Sequence, residues 1–90
     1  MNYATGASRA ATGTITANVD STLTLADPSA QVMISNHSAV QAYIRLNAAV
    51  SHSLYDFILG VGDRAFISDV ITQTVHVYMN ATAGLRVVYW

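Results

Sequence analysis

The sequence feature that most restricts the fold is an alternation of apolar and polar residues, repeated in short runs from residue 14 to residue 90. The clearest run is 70–80, where one face carries Val75, Val77 and Met79 and the other carries His76, Tyr78 and Asn80. A side-chain period of two is typical of a β-strand with one buried face. The chain is therefore expected to be built from strands.

Several further runs show the same alternation. Their presumed inward residues are Ile15, Ala17 and Val19; Leu23 and Leu25; Val32 and Ile34; Ala42, Ile44 and Leu46; Tyr55, Phe57 and Leu59; and Leu85, Val87 and Tyr89. A helix over 38–47, capped by Ser38, competes with the strand at 42–46, but β-branched and aromatic content favours the strand.

Turn-forming residues separate these runs. Asp27-Pro28-Ser29 is predicted to be a turn, because proline lacks a backbone donor and Asp can bond its own backbone. Gly60-Val61-Gly62-Asp63 is expected to be a hairpin-like connection into a strand at 64–68. About eight short strands with closely spaced turns indicate an all-β fold, a single β-sandwich or jelly-roll-like barrel over residues 14–90.

Residues 1–13 are small and polar without any period, which predicts an extended N-terminal arm. Only Tyr3 and Arg9 have long side chains there. Such a segment is either a loose terminus or an arm that becomes ordered on a neighbouring subunit. In the second case Tyr3 and Arg9 are the interface candidates.

Composition favours association with other subunits. Hydrophobic residues make up 52% of the 90 residues and charged residues only 10%, against about 25% charged in a typical soluble domain. Every cation is Arg and every anion is Asp, and the absence of Lys and Glu suits a surface covered by partners. With no Cys, disulfides cannot supplement the thin stability of so short a chain. We therefore expect a homo-oligomer, for example a trimer.

Other function classes receive little support from the residues. There is no basic run for nucleic acid, no apolar segment near the roughly 20 residues of a membrane helix, and no signal-peptide pattern. The three His residues have no ligand spacing, so no metal or other cofactor is expected. No Gly-x-Ser-x-Gly elbow or paired-acid pattern occurs, and the chain is expected not to be an enzyme.

Three aromatic residues, Tyr43, Tyr78 and Trp90, fall on faces opposite the presumed core. Large rigid rings supply much contact area at low entropic cost, so we interpret them as subunit or capsid interface anchors. Sugar binding is the alternative, and it would require polar groups clustered beside the rings.

From about residue 31 to residue 90 the chain resembles the small β-sandwich proteins of tailed bacteriophage virions. The resemblance lies in the segments Val32-Met33-Ile34-Ser35-Asn36, Tyr43-Ile44-Arg45-Leu46-Asn47, Tyr55-Asp56-Phe57-Ile58-Leu59 and Leu85-Arg86-Val87-Val88-Tyr89-Trp90. Members of that group are capsid decoration (cement) proteins, tail accessories and fibre attachment modules, and the resemblance implies no catalytic residue.

The resemblance implies a capsid decoration protein that binds the major capsid protein on the outer surface of the virion and stabilises the phage head. The alternative is a tail or fibre accessory module that binds a host surface glycan. A toxin-like or enzyme-accessory domain is a third hypothesis, which would require catalytic turnover by the isolated chain.

Overall fold

The computed structural model describes residues 9–11, 13–81 and 85–90. Within these ranges the chain forms no helix and eight strands: β1 (Arg9–Ala10), β2 (Ser21–Ser29), β3 (Val32–Asn36), β4 (Ala42–Leu46), β5 (Phe57–Leu59), β6 (Arg64–Ile67), β7 (Thr72–Tyr78) and β8 (Leu85–Tyr89). The observed strand β4 confirms the preferred interpretation of this segment, and the helix alternative over 38–47 is wrong.

The strands form two four-stranded sheets with the orders β1-β8-β3-β6 and β2-β7-β4-β5. Antiparallel pairs join β1 to β8, β2 to β7, β3 to β6 and β4 to β5, as in one long hairpin wrapped across two sheets. This wrapping of eight strands is the jelly-roll arrangement. The expected all-β sandwich is confirmed.

The core lies between the two sheets and consists of residues that alternation placed inward, whereas Tyr55, which was also placed inward, is 40% exposed. Its members are at most 5% exposed and include Leu23, Leu25, Val32, Ile34, Ala42, Ile44, Leu59, Val75, Val77, Met79, Val87 and Tyr89. Side chains of opposite parity on the same strands point to the outer faces of the sandwich. Those outer faces are where binding sites have to be sought.

Residues 14–19 differ from the sequence-based prediction, because they form no strand. Residues 17–19 turn, Asn18 has φ of 64°, and its backbone N–H donates to the carbonyl of Met79 at 2.7 Å. Thr16 N–H donates to Ser21 Oγ at 2.9 Å instead of joining a ladder. Ile15 still packs against the core. Val19, which alternation placed on the same face, is 48% exposed. In this segment alternation therefore predicted the burial of Ile15 but neither the exposure of Val19 nor the backbone conformation.

The predicted turn at Asp27-Pro28-Ser29 is also different, because β2 continues through it to Ser29. The register between β2 and β7 shifts between Thr24 and Ser29, so the proline occupies an irregularity in an edge strand. An irregularity in the register and an edge strand are both places where a sheet tolerates the missing N–H of proline.

The connection at 60–63 joins two different sheets, so the expected hairpin is wrong. β5 pairs with β4 in one sheet and β6 pairs with β3 in the other. Gly62 has φ of 78°, and its N–H donates to the carbonyl of Asn36 at 3.0 Å. The connection between the two sheets thus needs a glycine with positive φ at this position, as a hairpin turn often does.

Most of the predicted arm, including Tyr3, lies outside the described residues. At its described end, Arg9–Ala10 pair with β8, and Ala11 N–H donates to the carbonyl of Val87 at 3.0 Å. The chain here adds a short edge strand to its own sandwich.

Candidate functional site

Arg9, one predicted interface residue, contacts its own domain. Its guanidinium donates to the Asp27 carboxylate at 2.5 Å, and its Cζ lies 5.7 Å from the centre of the Tyr89 ring. The hydrogen bond to Asp27, together with the charge of that carboxylate, raises the pKa of Arg9 above its ordinary value. Both charges of the pair are exposed. A contact between Arg9 and another subunit stays a prediction.

Tyr43 and Tyr78 come together on the outer face of the β2-β7-β4-β5 sheet. They are direct cross-strand partners, with ring centroids 6.0 Å apart and planes at 69°. Tyr55 adds an edge contact to Tyr43 at 5.1 Å, and the His52 ring lies 5.9 Å from that of Tyr78. We call Tyr43, Tyr55, Tyr78 and His52 the aromatic cluster.

A groove of about 530 Å³ opens beside the aromatic cluster, and we call it the tyrosine groove. Its wall includes Tyr43 and Tyr78, with Gln41, His52 and Asn80 as the polar groups. Gln41 Nε2 donates to the Tyr43 hydroxyl at 3.0 Å. The groove therefore combines ring surfaces with hydrogen-bonding side chains, the combination that the sugar-binding alternative requires.

Trp90 lies apart from these two tyrosines, next to the other sheet. Its ring makes an edge contact with Phe66 on β6, with centroids 6.3 Å apart. Its backbone N–H donates to the carbonyl of Gln31 at 3.1 Å, and its carbonyl accepts from the Ser29 hydroxyl. Trp90 is half-buried and follows β8, and its backbone is tied to its own domain. The role of Trp90 as a subunit anchor stays a prediction.

A second groove, of about 440 Å³, lies on the outer face of the β1-β8-β3-β6 sheet, and we call it the arginine groove. Arg64 and Arg86 both line it, together with Ser35, His37 and Gly62. No sequence pattern pointed to these residues as a site. Arg86 was placed on an outward face, but nothing in the sequence indicates that β6 and β8 flank the same strand.

Thr74, His76 and Asp20 form a row that spacing did not indicate. His76 Nδ1 lies 3.0 Å from Asp20 Oδ1, and Nε2 lies 3.0 Å from Thr74 Oγ1. Hydrolases use the same order of hydroxyl, imidazole and carboxylate. Neither groove described above is lined by Thr74 or His76. The contacts tie the outer face of β7 to Asp20, directly before β2, and so support the pairing of these strands.

The part of the chain that the structure describes shows no metal-ligand cluster and no membrane-spanning helix. It contains no group of three His, Asp or Glu side chains placed to hold a metal ion. None of its residues belongs to a helix long and apolar enough to span a bilayer.

Four of the eight large apolar side chains that are exposed among the described residues lie in one short segment, and the other four are Val19, Phe66, Val70 and Ile71. Leu54, Tyr55, Ile58 and Val61 are 53%, 40%, 43% and 59% exposed, all within residues 54–61. We call this the apolar strip. It covers β5, the edge strand of its sheet, and the residues on either side of it.

No protein family model, no curated protein and no solved structure matches this chain. Its function is therefore inferred from its fold and its surface.

Proposed function

We propose that this protein is a structural virion protein of a tailed bacteriophage, a capsid decoration (cement) protein. It binds the major capsid protein on the outer surface of the head as a homo-oligomer and stabilises the shell. The observation that carries the proposal is the apolar strip at the edge of the sandwich. Exposed apolar side chains mark interaction sites in soluble proteins where they are grouped together, and these four lie within eight residues of the chain.

The position of the apolar strip suits such a contact. An edge strand presents unpaired backbone N–H and C=O groups, and soluble monomers usually protect such edges with charged residues. Here β5 has the sequence Phe57-Ile58-Leu59 and carries no charge. A partner that covers this edge removes apolar surface from water, which stabilises the complex by about 25 cal/mol per Å² of apolar surface buried.

The mechanism relies on repetition. Each contact between a decoration subunit and the shell is modest, but a symmetric shell repeats it many times, and an oligomer that engages several sites gains avidity. The jelly-roll arrangement is used by viral capsid domains, which adds support by analogy at the level of the fold.

A matched pair of variants tests the proposal. Ile58→Lys places a charge in the apolar strip, whereas Ile71→Lys places the same charge at a 63% exposed position before β7, outside the strip. We expect Ile58→Lys to weaken co-sedimentation with purified capsids at least tenfold and to lower the mass of the oligomer in light scattering. Ile71→Lys should leave both unchanged. A wild-type chain that stays monomeric and does not bind capsids would contradict the proposal.

The number of copies of this protein per virion distinguishes a head decoration protein from a tail protein. Quantitative mass spectrometry of purified virions should give hundreds of copies per particle for a head decoration protein. A handful of copies would contradict decoration of the head and favour the tail.

The tyrosine groove favours a second candidate function, a tail or fibre module that binds host surface glycan. The ring faces of Tyr43 and Tyr78 lie beside Gln41 and Asn80, which supply amide donors and acceptors. For this function we expect specific hits on a glycan array, abolished by Tyr78→Ala. Phe66→Ala, on the opposite sheet, is the control that should retain them. Equal loss in both variants, or no hits with the wild type, would contradict it.

A further inference from the structure

Three polar residues lie in one row across the outer face of the β1-β8-β3-β6 sheet. Ser35 on the inner strand β3 is the direct partner of Arg64 on β6 and of Arg86 on β8. Directly opposed residues of antiparallel strands present their side chains on the same face. Strands are about 4.8 Å apart, so the two Arg backbones stand about 10 Å apart with Ser35 between them.

Within the described residues, the two guanidinium groups have no ionic partner. Arg64 and Arg86 are exposed, and neither makes an ion pair or hydrogen bond with another described residue. Elsewhere Arg9 binds Asp27, and Arg45 donates to the carbonyl of Ala49 at 3.0 Å. The protein as a whole carries a net charge of -1. Two unpaired cations side by side therefore create a local positive field on an otherwise weakly charged molecule.

Ser35 supplies a second, independent observation. It is only 5% exposed, and its hydroxyl forms no hydrogen bond within the described residues. The hydroxyl oxygen does not belong to the buried polar atoms without a partner, so it remains accessible to solvent and is available to hydrogen-bond a bound group. Ser35 lines the arginine groove between the two Arg side chains, so its hydroxyl faces the same space.

We propose that the arginine groove is a binding site for a tetrahedral oxyanion, a phosphate or sulfate group. Each guanidinium presents two parallel N–H donors that match two oxygens of such a group. Two guanidinium forks and one hydroxyl supply more donors than the two oxygens of a single carboxylate need, whereas a tetrahedral anion offers three or four oxygens. His37 and Gly62 also line the groove.

The remaining wall indicates how the anion is presented. Met33 and Val88 also line the arginine groove and are half-buried. They are direct partners on β3 and β8, two residues along from the pair formed by Ser35 and Arg86. An apolar wall beside a cationic end suits a phosphate or sulfate ester. Its charged group would lie at the Arg side chains and its carbon skeleton on Met33 and Val88. Inorganic phosphate or sulfate would use the cationic end alone.

The site is tested by titrating ¹⁵N-labelled protein with inorganic phosphate, inorganic sulfate, glucose 1-phosphate and acetate at constant ionic strength. Saturable shifts of the Ser35 amide and of the Arg64 and Arg86 Nε–H signals are expected with the first three. Acetate should bind at least about tenfold more weakly. Tighter binding of glucose 1-phosphate than of phosphate assigns the site to an ester, and the reverse order assigns it to the free ion.

Three variants with one control identify the groups responsible. Arg64→Gln and Arg86→Gln should each weaken binding about tenfold or more, because each removes charge-assisted hydrogen bonds. Ser35→Ala keeps the charge and should weaken binding several-fold. Arg45→Gln removes the same charge from the opposite sheet and should change nothing.

Shifts that never saturate, or an equal loss in Arg45→Gln and Arg64→Gln, would show general salt effects and overturn the proposal. The site is independent of the proposed decoration function. Capsid binding is tested at Ile58 and anion binding at Arg64 and Arg86, so either can fail alone.

Discussion

Replacing Asn36 by alanine should loosen the two connections that border both grooves. The side chain is 1% exposed at the end of β3. Its Nδ2 donates to the carbonyls of Val40 and Leu59 at 2.9 and 3.0 Å, and its Oδ1 accepts from Ser38 N–H and Oγ at 2.9 and 2.8 Å. One buried amide therefore joins the β3–β4 connection to the end of β5.

The cost of Asn36→Ala follows from these contacts, in which the single Ser38 hydroxyl proton is shared between Asn36 Oδ1 and the Val40 carbonyl. Each hydrogen bond contributes about 0.5–1.5 kcal/mol net, and a buried group left without its partner costs about 1–3 kcal/mol. Ser38 and Val40 still bond each other, since Ser38 Oγ donates to the Val40 carbonyl at 2.7 Å. The loss thus falls mainly on Leu59 and on Ser38 N–H. We expect the free energy of unfolding to fall by about 2–4 kcal/mol.

Urea unfolding followed by circular dichroism measures this change. The midpoint should fall while the m-value stays constant, because the unfolded chain exposes nearly the same surface. Asn80→Ala, at an exposed position, is the matched control and should stay within about 0.5 kcal/mol of wild type. A loss below 1 kcal/mol for Asn36→Ala would refute the view that this amide holds the two connections.

Asn36→Asp adds a pH dependence of known sign. The introduced carboxyl keeps the acceptor for Ser38 but faces two carbonyl oxygens without a donor. Burial raises the pKa of that carboxyl above its ordinary value, so the folded state binds more protons than the unfolded state. The variant should therefore be most stable at low pH and lose stability as pH rises through the raised pKa. A wild-type-like pH profile for the variant would contradict this reasoning.

Three further variants test other parts of the structure. Gly13→Ala would place a Cβ 2.7 Å from Leu23 Cδ2 and against the backbone of β2, so thermal unfolding should shift down by several degrees, and an unchanged midpoint would contradict this close approach. Ile44→Ala, at a fully buried position, should cost about 2–5 kcal/mol in urea unfolding, whereas a loss below 1 kcal/mol would contradict its core position. Because we assign the row through His76 a structural role, Thr74→Ala and wild type should hydrolyse p-nitrophenyl acetate equally slowly, and turnover lost only in the variant would indicate a nucleophile instead.

The sequence predicted the faces of the strands better than their ends and connections. Residues such as Ile34 and Val77 lie inward because the pleat of a strand is a local property, readable from two-residue periodicity. The segment 14–19 has the same periodicity, yet it turns at Asn18. Alternation cannot decide whether a partner strand is present to complete a ladder.

The candidate sites were predictable only in part. Tyr43 and Tyr78 were identified as outward aromatics from the sequence, but their contact exists because β4 and β7 are neighbours. Arg64 and Arg86 gave no signal, since neither belongs to a motif and their strands are far apart along the chain. The contact of the Asp20 carboxylate with the ring of His76 was not predictable either, because the two residues are 56 positions apart along the chain.

By itself the sequence determined that this chain forms short strands with one buried face and that its surface is poor in charge, because both properties depend only on neighbouring residues and on composition. The tertiary structure alone decided that β3 lies between β6 and β8 and that β5 is an edge strand. Strand order depends on pairings between distant segments, and side-chain periodicity carries no information about which segments pair. The arginine groove and the apolar strip are therefore products of the wrapped topology.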